Sequence, residues 1–315
     1  MKRRILFCIV TVMLLLLPAQ AAEDYIKWVE FDVSCAAMER ALQLEQQYRE
    51  QDRVVNWIDQ LALAATRTGS GRFPVSAVDR AAKELASDRS PKEFLGNQYR
   101  YYQYYREAYG AVLQGLVGSY AIQTPEGEWK PAYGVKAFSP IAAGYWYNHY
   151  DDFGASRSYG FQRRHLGNDL MGSLGTPIVA VEGGTVEAMG WNQYGGWRIG
   201  IRSHDRLRYY YYAHLRKDTP FAPGLEVGDT VQAGDVIGFM GRTGYSVREN
   251  VNNIEVVHLH FGLQLVFDES QKECNSEIWV DVYDIVNFLA QHRSSVQYDP
   301  EAKAWKRLYP YRDLD

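Results

Sequence analysis

The chain has 315 residues, a net charge of −4 at pH 7 and an apolar fraction of 46%. This length accommodates two ordinary domains of roughly 100–200 residues each. The composition excludes disordered, collagen-like and coiled-coil proteins. No block of lysine or arginine residues stands out, which argues against a nucleic-acid partner.

The first 21 residues have the pattern of an export signal. A basic start at residues 2–4 precedes an apolar run over residues 5–17, and Ala19-Gln20-Ala21 has the small-x-small pattern of a cleavage site. The run is short for a membrane span. We therefore predict a signal peptide over residues 1–21, a secreted or extracytoplasmic location in the cell envelope, and no stable membrane insertion after cleavage. An uncleaved membrane anchor is the alternative.

Two cysteines, Cys35 and Cys274, remain after cleavage. Export permits a disulfide between them, but the sequence leaves their pairing open because geometry decides it. Neither cysteine has the C-x-x-C spacing of a thiolate zinc site.

The next hundred residues have the apolar spacing of helices. We predict an N-terminal helical domain over residues 22–121, followed by a linker or arm over residues 122–152 that is rich in proline and glycine. Ser76 is a candidate N-cap for one of the helices. The expected helices cover residues 35–53, 54–66, 76–86 and about 90–120.

From about residue 153 the pattern changes to short β-rich runs separated by glycine-containing turns, which is typical of a β-sandwich or barrel. We predict an α+β protein in which the helical domain precedes an antiparallel β-sandwich domain over residues 153–292. A closing helix is expected over residues 278–290, and the tail over residues 293–315 is unassigned. The expected strands cover residues 177–181, 185–189, 197–202, 209–214, 236–240 and 258–266.

Histidines provide the chemical signal of the β-rich part. His258 and His260 alternate on one strand, so both side chains point to the same face. His165 and Asp169 would come together if the chain turns at Gly167-Asn168. His214 ends a predicted strand. Each pattern alone is weak evidence.

Taken together, these residues make a coherent set. Two histidines and one aspartate are three zinc ligands, which leave the fourth position to water as in catalytic sites. Two further histidines nearby would serve proton transfer and stabilisation of an oxyanion.

The set, with its flanking residues, resembles the lysostaphin/LytM-type zinc metallopeptidases, which hydrolyse peptide bonds in bacterial peptidoglycan. The resemblance covers about residues 153–267 and implies a fold of the duplicated hybrid motif type. The motifs that carry it are His165-x-Gly167-x-Asp169, Gly175-Thr176-Pro177, Tyr212-Ala213-His214-Leu215, Val227-Gly228-Asp229-Thr230-Val231, Gly234-Asp235-Val236-Ile237-Gly238 and His258-Leu259-His260-Phe261.

The resemblance implies that His165, Asp169 and His260 bind one Zn²⁺ ion and that His214 and His258 are the catalytic pair. It also implies a peptidoglycan peptide, in the stem or the cross-bridge, as the substrate. Tyr159 is a further candidate oxyanion donor, although packing is the more common role of such a residue.

Several interpretations stay open. Arg163 and Arg164 precede His165 and are either solvated or able to bind substrate carboxylates. Thirteen residues, 245–257, stand where the family has a short loop ending in Gly-Pro, which predicts a lobe beside the groove. The main alternative function is an inactive LytM-like regulator or scaffold of cell-wall hydrolysis. A biotinyl or lipoyl carrier module is disfavoured because no lysine lies between Lys217 and Lys272. A protein partner of the helical domain is unknown.

Overall fold

The computed structural model describes residues 25–272 and 276–314. The predicted signal peptide and Cys274 lie outside these ranges, so the structure does not bear on the signal or on the pairing of Cys274. Within the described ranges, every helix is too short or too polar to cross a membrane.

From residue 25 onwards, the N-terminal part contains five α-helices, with a single turn of 3₁₀ helix before the last of them. Ser34 and Asn56 cap the first two helices by accepting hydrogen bonds from backbone N–H groups, as such residues do at helix starts. The helices are α1 Cys35–Arg49, α2 Trp57–Thr68, α3 Val75–Leu85, α4 Pro91–Leu95 and α5 Tyr99–Leu113.

Several expected helix boundaries differ from the structure: α1 ends at Arg49 instead of residue 53, α2 begins at Trp57 instead of residue 54, and the range from about 90 to 120 is divided between α4 and α5. The third helix begins after Pro74 rather than at Ser76, and no side chain caps it. The last helix ends at Leu113 instead of continuing to about residue 120, because Val117 begins a β-strand. Proline is well tolerated where a helix begins, since the missing N–H group would lack an intrahelical partner there.

The rest of the described chain is mostly β-structure. Its strands are β1 Val117–Gln123, β2 Trp129–Val135, β3 Tyr147–His149, β4 Ser156–Tyr159, β5 Phe161–Arg164, β6 Asn168–Gly172, β7 Pro177–Val179, β8 Gly184–Asn192, β9 Gly196–Ser203, β10 Arg208–Ala213, β11 Thr230–Val231, β12 Val236–Phe239, β13 His258–Leu265, β14 Ile278–Val280, β15 Val296–Asp299, β16 Ala304–Arg307 and β17 Tyr311–Asp313.

An antiparallel sheet of eight strands forms the centre of this part. Its order is β11-β8-β9-β10-β13-β6-β3, and β14 pairs with the far half of β13. The pair β7–β12 packs against the large sheet: Gly238 in β12 lies close to the side chains of Leu215 and Ile199. The predicted α+β class, with a helical region before an antiparallel β-rich domain, is confirmed.

The expected closing helix over residues 278–290 is shorter than predicted. Residues 278–280 form the strand β14, and the helix itself, α6, covers only Tyr283–Phe288. The alternating burial of Ile278 and Val280 on either side of the half-buried Trp279 is the period-two pattern of a strand.

The segment expected to be a linker contains three strands or parts of strands. The strands β1 and β2 form a hairpin whose turn includes Gly127 at φ +89°, and β17 from the C-terminal tail completes that small sheet. The strand β3 extends the central sheet at the edge next to β6. The proline and glycine residues that suggested a linker lie in and between these short strands.

One continuous core joins the helical layer to the sheet. Trp57 of α2 stacks on Phe288 of α6 at a centroid distance of 5.8 Å. The buried guanidinium of Arg208 in β10 donates to the carbonyl of Ala111 in α5 and to the carboxylate of Glu182. The helical layer is therefore packed on the β-rich part through apolar and ionic contacts.

Candidate active site

The strands β6, β13 and β10 bring the predicted metal ligands together. Asp169 in β6 lies directly opposite His260 in β13, and Ala213 of β10 lies opposite the same histidine on the other side. Residues opposite each other in a sheet present their side chains to the same face. His165 follows β5, and the chain bends at Gly167 before it enters β6.

Gly167 allows this close arrangement. A Cβ atom at this position would lie 2.5 Å from the carbonyl oxygen of Phe261 and 2.9 Å from the ring of His260. A larger residue would therefore push the segment that carries His165 away from β13. The glycine in His165-x-Gly167-x-Asp169 is a packing requirement of the site.

Three donor atoms converge at this place. The Nε2 atom of His165 lies 2.7 Å from Nδ1 of His260 and 3.1 Å from Oδ1 of Asp169, and the latter two atoms are 3.3 Å apart. All three fall within 4.8 Å of one another. Two imidazole nitrogens and one carboxylate oxygen, with room for a fourth ligand, fit Zn²⁺.

Asp152 and Arg157, which the sequence analysis did not identify, contact His165 and Asp169 on the side away from the converging donor atoms. The Nδ1 atom of His165 lies 3.0 Å from the carbonyl oxygen of Asp152 and 3.3 Å from its carboxylate. Arg157 donates to Asp152 at 2.5 Å and to Oδ2 of Asp169 at 3.1 Å. Such contacts orient the ligands, because one carboxylate oxygen and one ring nitrogen are already engaged. Asp152 was missed because it falls in the segment predicted to be a linker.

The protonation states follow from burial and from the neighbouring charges. Burial alone would raise the pKa of Asp169, but hydrogen bonds from His165 and His260 lower it far below the usual range. Burial opposes protonation of His165 too, yet the carboxylates of Asp152 and Asp169 raise its pKa to about 9. A cation that binds here must therefore displace a proton from His165.

The other two histidines lie beside the ligands. The rings of His214 and His258 have centroids 4.8 Å apart, and His214 lies 5.9 Å from His260 by the same measure. Each Nδ1 atom lies 2.9 Å from a backbone carbonyl oxygen, that of Thr243 for His214 and that of Val256 for His258. In that tautomer Nδ1–H donates, and Nε2 is the free acceptor.

Burial lowers the pKa of His214 well below the usual value, and the charges of His258 and His260 lower it further. His214 is therefore a neutral imidazole at physiological pH. The Nε2 atom of His258 points to the same centre, 3.7 Å from Oδ1 of Asp169.

These histidines lie in a groove of about 620 Å³ that continues along the central sheet. Tyr209, Tyr211 and Trp279 lie across the exposed face of the sheet and form its floor. Glycines at positions 200 and 262 provide the room, because a Cβ atom there would overlap the phenol of Tyr209 or the ring of Trp279. The floor residues were missed individually, although the period-two pattern of residues 209–212 could have placed Tyr209 and Tyr211 on one face.

Two minor interpretations now have a structural context. Tyr159 stacks on Tyr245 with ring centroids 5.1 Å apart, which favours packing over a role as an oxyanion donor. Arg163 and Arg164 both line the groove. The segment 245–257 lies beside the groove and contributes Tyr245 to its lining.

Comparisons with known proteins give a family match for the β-rich part of the chain. Residues 163–273 match the sequence profile of Peptidase family M23. An L-Ala--D-Glu endopeptidase of Bacillus subtilis (strain 168) is 38% identical over 117 residues, which are 37% of this chain and 34% of that protein. Lysostaphin of Staphylococcus simulans is 38% identical over 98 residues, which are 31% of this chain and 17% of lysostaphin. The chain thus spans about a third or less of the length of these relatives.

A similar solved structure covers more of the chain. It is a candidate glycyl-glycine endopeptidase LytM from Ruminococcus gnavus ATCC 29149, with a TM-score of 0.58 and 25% identity, covering 88% of this chain and 95% of the other. The β-rich part thus matches a peptidase family in sequence, and the chain is similar in fold to a LytM-type structure. More particularly, residues 163–273 carry the match to Peptidase family M23, and the relatives similar to this part of the chain include lysostaphin.

Proposed function

We propose that this protein is a secreted zinc metalloendopeptidase that hydrolyses peptide bonds of bacterial peptidoglycan, in the stem peptide or in the cross-bridge. The observation that carries the proposal is the convergence of His165, Asp169 and His260 beside His214 and His258 in an open groove. The names of the relatives support endopeptidase activity. The sequence pattern of residues 1–21 supports export.

The ligand roles follow from the donor set. His165, Asp169 and His260 would hold the ion through Nε2, Oδ1 and Nδ1. A zinc ion bound by these residues would act as a Lewis acid, which lowers the pKa of a bound water and polarises a carbonyl. Arg157 keeps Oδ2 of Asp169 occupied, so that Oδ1 alone faces the other two donors.

The proton-transfer roles follow from the tautomers. His214 donates Nδ1–H to Thr243 and keeps Nε2 as a neutral base, which accepts the proton of the attacking water. His258 is held in the same way by Val256 and faces the reaction centre with its ring, where it is placed to stabilise developing negative charge. No glutamate base is needed in this arrangement.

The inactive-regulator alternative is not favoured, because all five positions are filled and they converge. The test replaces His214 or His258 with alanine and measures bound zinc and peptidoglycan hydrolysis in the same preparations. We expect one zinc per chain to remain and the hydrolysis rate to fall at least about 100-fold. The matched control is His204→Ala, since His204 is exposed and lies outside the groove. Unchanged hydrolysis in both active-site variants would overturn the assignment.

A further inference from the structure

The groove contains more positive charge than its carboxylates neutralise. Its basic residues Arg157 and Lys272 are engaged, the first with Asp152 and Asp169 and the second with Glu187 and Glu269. Arg163, Arg164 and Arg198 also line the groove, and none of these three has a carboxylate within ion-pair distance among residues 25–272 and 276–314. Arg164 is exposed, whereas Arg163 and Arg198 are half-buried.

Arg198 lies near the end of β9 that faces the metal ligands. The register pairs Tyr212 of β10 with Ile199 of β9, and Arg198 is the residue next to Ile199 on the side of Ala213. Ala213 in turn lies opposite His260. Neighbouring strands are about 4.8 Å apart, so two spacings, roughly 10 Å, separate β9 from β13. Arg198 and His260 both line the groove.

Arg163 approaches the same place from the hairpin of β4 and β5. Its guanidinium lies over the rings of Tyr194 and Tyr245, at 4.8 and 5.2 Å from their centroids. Its Nη1 atom is buried and has no hydrogen-bond partner in the described part of the chain. A buried guanidinium N–H group without an acceptor is costly, so this donor is suited to an anionic ligand.

Both arginines line the groove together with Tyr211. The ring of Tyr211 lies 5.8 Å from that of His260. Among the described residues that line the groove, the third acid after Asp169 and Glu187 is Glu277, which accepts a hydrogen bond from the indole of Trp279.

We propose that Arg198 and Arg163 form a carboxylate-binding subsite around Tyr211, which selects an acidic stem peptide over a neutral cross-bridge peptide. This inference rests on the proposed function and narrows its substrate. Two guanidinium groups offer paired N–H donors that match the two oxygens of a carboxylate. A glycine-only bridge has no side-chain carboxylate to place there, and it would leave both cations desolvated and unpaired.

The test measures how zinc-loaded protein hydrolyses three peptides. They are an acidic stem peptide, the same peptide with its side-chain carboxylate converted to an amide, and pentaglycine. We expect wild-type protein to prefer the acid over the amide about 10-fold to 100-fold in kcat/KM, the range of a charge-assisted hydrogen bond. Arg198→Gln is expected to remove that preference, and Arg163→Gln to reduce it. Arg198→Lys should restore part of it, since the charge returns without the paired geometry. The control is Arg248→Gln, at an exposed position outside the groove.

The outcomes separate the two proposals. If pentaglycine or the amide is hydrolysed with the same kcat/KM as the acid, the proposal of a carboxylate subsite is overturned while the proposed peptidase activity stands. If the preference survives in Arg198→Gln, the assignment of Arg198 is overturned. If no peptide is hydrolysed by zinc-loaded wild type, the peptidase proposal fails. The same peptides are then titrated into wild type and Arg198→Gln, and equal affinity for acid and amide would overturn the subsite as well.

Discussion

His214 shows how a single backbone conformation serves the site. It follows β10 directly and has φ +61°, a region that L-residues other than glycine seldom adopt. Its N–H donates to the carbonyl of Gly195, and its ring donor is held by Thr243. The unusual backbone turns the side chain of a strand-end residue towards the groove, where it meets His258. Strain of this kind is common where residues act chemically.

The histidines of the candidate site could be predicted from the sequence, but the residues that contact and orient the proposed metal ligands could not. Strand alternation placed His258 and His260 on one face, and the turn at Gly167 brought His165 to Asp169. Asp152 and Arg157 gave no signal, because their contacts depend on how the hairpin of β4 and β5 folds over β6. That arrangement is tertiary and leaves no periodicity in the sequence.

His149 lies away from the metal ligands. Its ring stacks on that of Tyr283, with the two centroids 4.6 Å apart. Burial lowers its pKa to about 4, whereas the unfolded chain has the ordinary value of about 6.5. As the pH falls from 6.5 to 4, His149 therefore binds a proton in the unfolded state but remains largely neutral in the folded state. The free energy of unfolding should fall by about 3 kcal/mol from this group across that window.

His149→Phe keeps the ring stack and removes the titration. We expect its free energy of unfolding to decline less steeply than that of wild type between pH 6.5 and 4, as measured by urea denaturation at several pH values. His204→Gln, at an exposed position, is the control and should follow wild type. Parallel curves for His149→Phe and wild type would contradict the buried, neutral state of His149.

At the scale of the elements, α5 and the segment after it contain two glycines with opposite roles. Gly110 is inside the helix, and an added Cβ atom would meet nothing within 4 Å. Gly115 follows the helix, and an added Cβ atom would overlap the carboxylate of Glu182. That carboxylate is the buried partner of Arg208. The first glycine is thus replaceable, and the second keeps the helical layer against the sheet.

We therefore expect Gly110→Ala to raise the free energy of unfolding by about 0.5–1 kcal/mol, the cost of glycine in a helix interior. Gly115→Ala should lower it by about 1–3 kcal/mol, as overpacking does. Denaturant unfolding of both variants beside wild type measures the two signs. A stabilising Gly115→Ala would contradict the close contact between Gly115 and Glu182.

The strands β1 and β2, which follow α5, were not predicted from the sequence. The apolar spacing of helices and the alternation of strands predicted α1, α2 and the central strands closely. It did not predict β1, which begins inside the expected last helix, β2 in the presumed linker or β17 in the unassigned tail. The pairing of β1 with β17 spans nearly two hundred residues, and such a pairing depends on the assembled core and not on local preference.

At the scale of the whole molecule, the helical layer and the β-rich part share one core. The buried carboxylate of Glu182 accepts from Arg208 at 2.7 Å and from the phenol of Tyr210 at 2.8 Å, while Arg208 also holds α5 through Ala111. The removal of one partner leaves the other charge buried and uncompensated. The helical layer is therefore expected to be necessary for the stability of the catalytic part.

This view predicts one cooperative unfolding transition for zinc-loaded protein, seen at the same temperature by calorimetry and by tryptophan fluorescence. Glu182→Gln should lower the free energy of unfolding by about 3–5 kcal/mol and keep the single transition. An exposed carboxylate, as in Glu249→Gln, is the control and should change little. Two separate transitions in wild type would show instead that the helical and β-rich parts fold independently.

The most direct measurement incubates protein of residues 22–315 with purified peptidoglycan, with and without a chelator, and identifies the fragments by mass spectrometry. His260→Ala is the matched variant, because it removes one of the three converging donors. The account predicts new peptide fragments from wild type, their loss with the chelator, their return with added zinc, and no fragments from the variant. Fragments that persist in the chelator, or that His260→Ala also releases, would contradict a zinc peptidase centred on His165, Asp169 and His260.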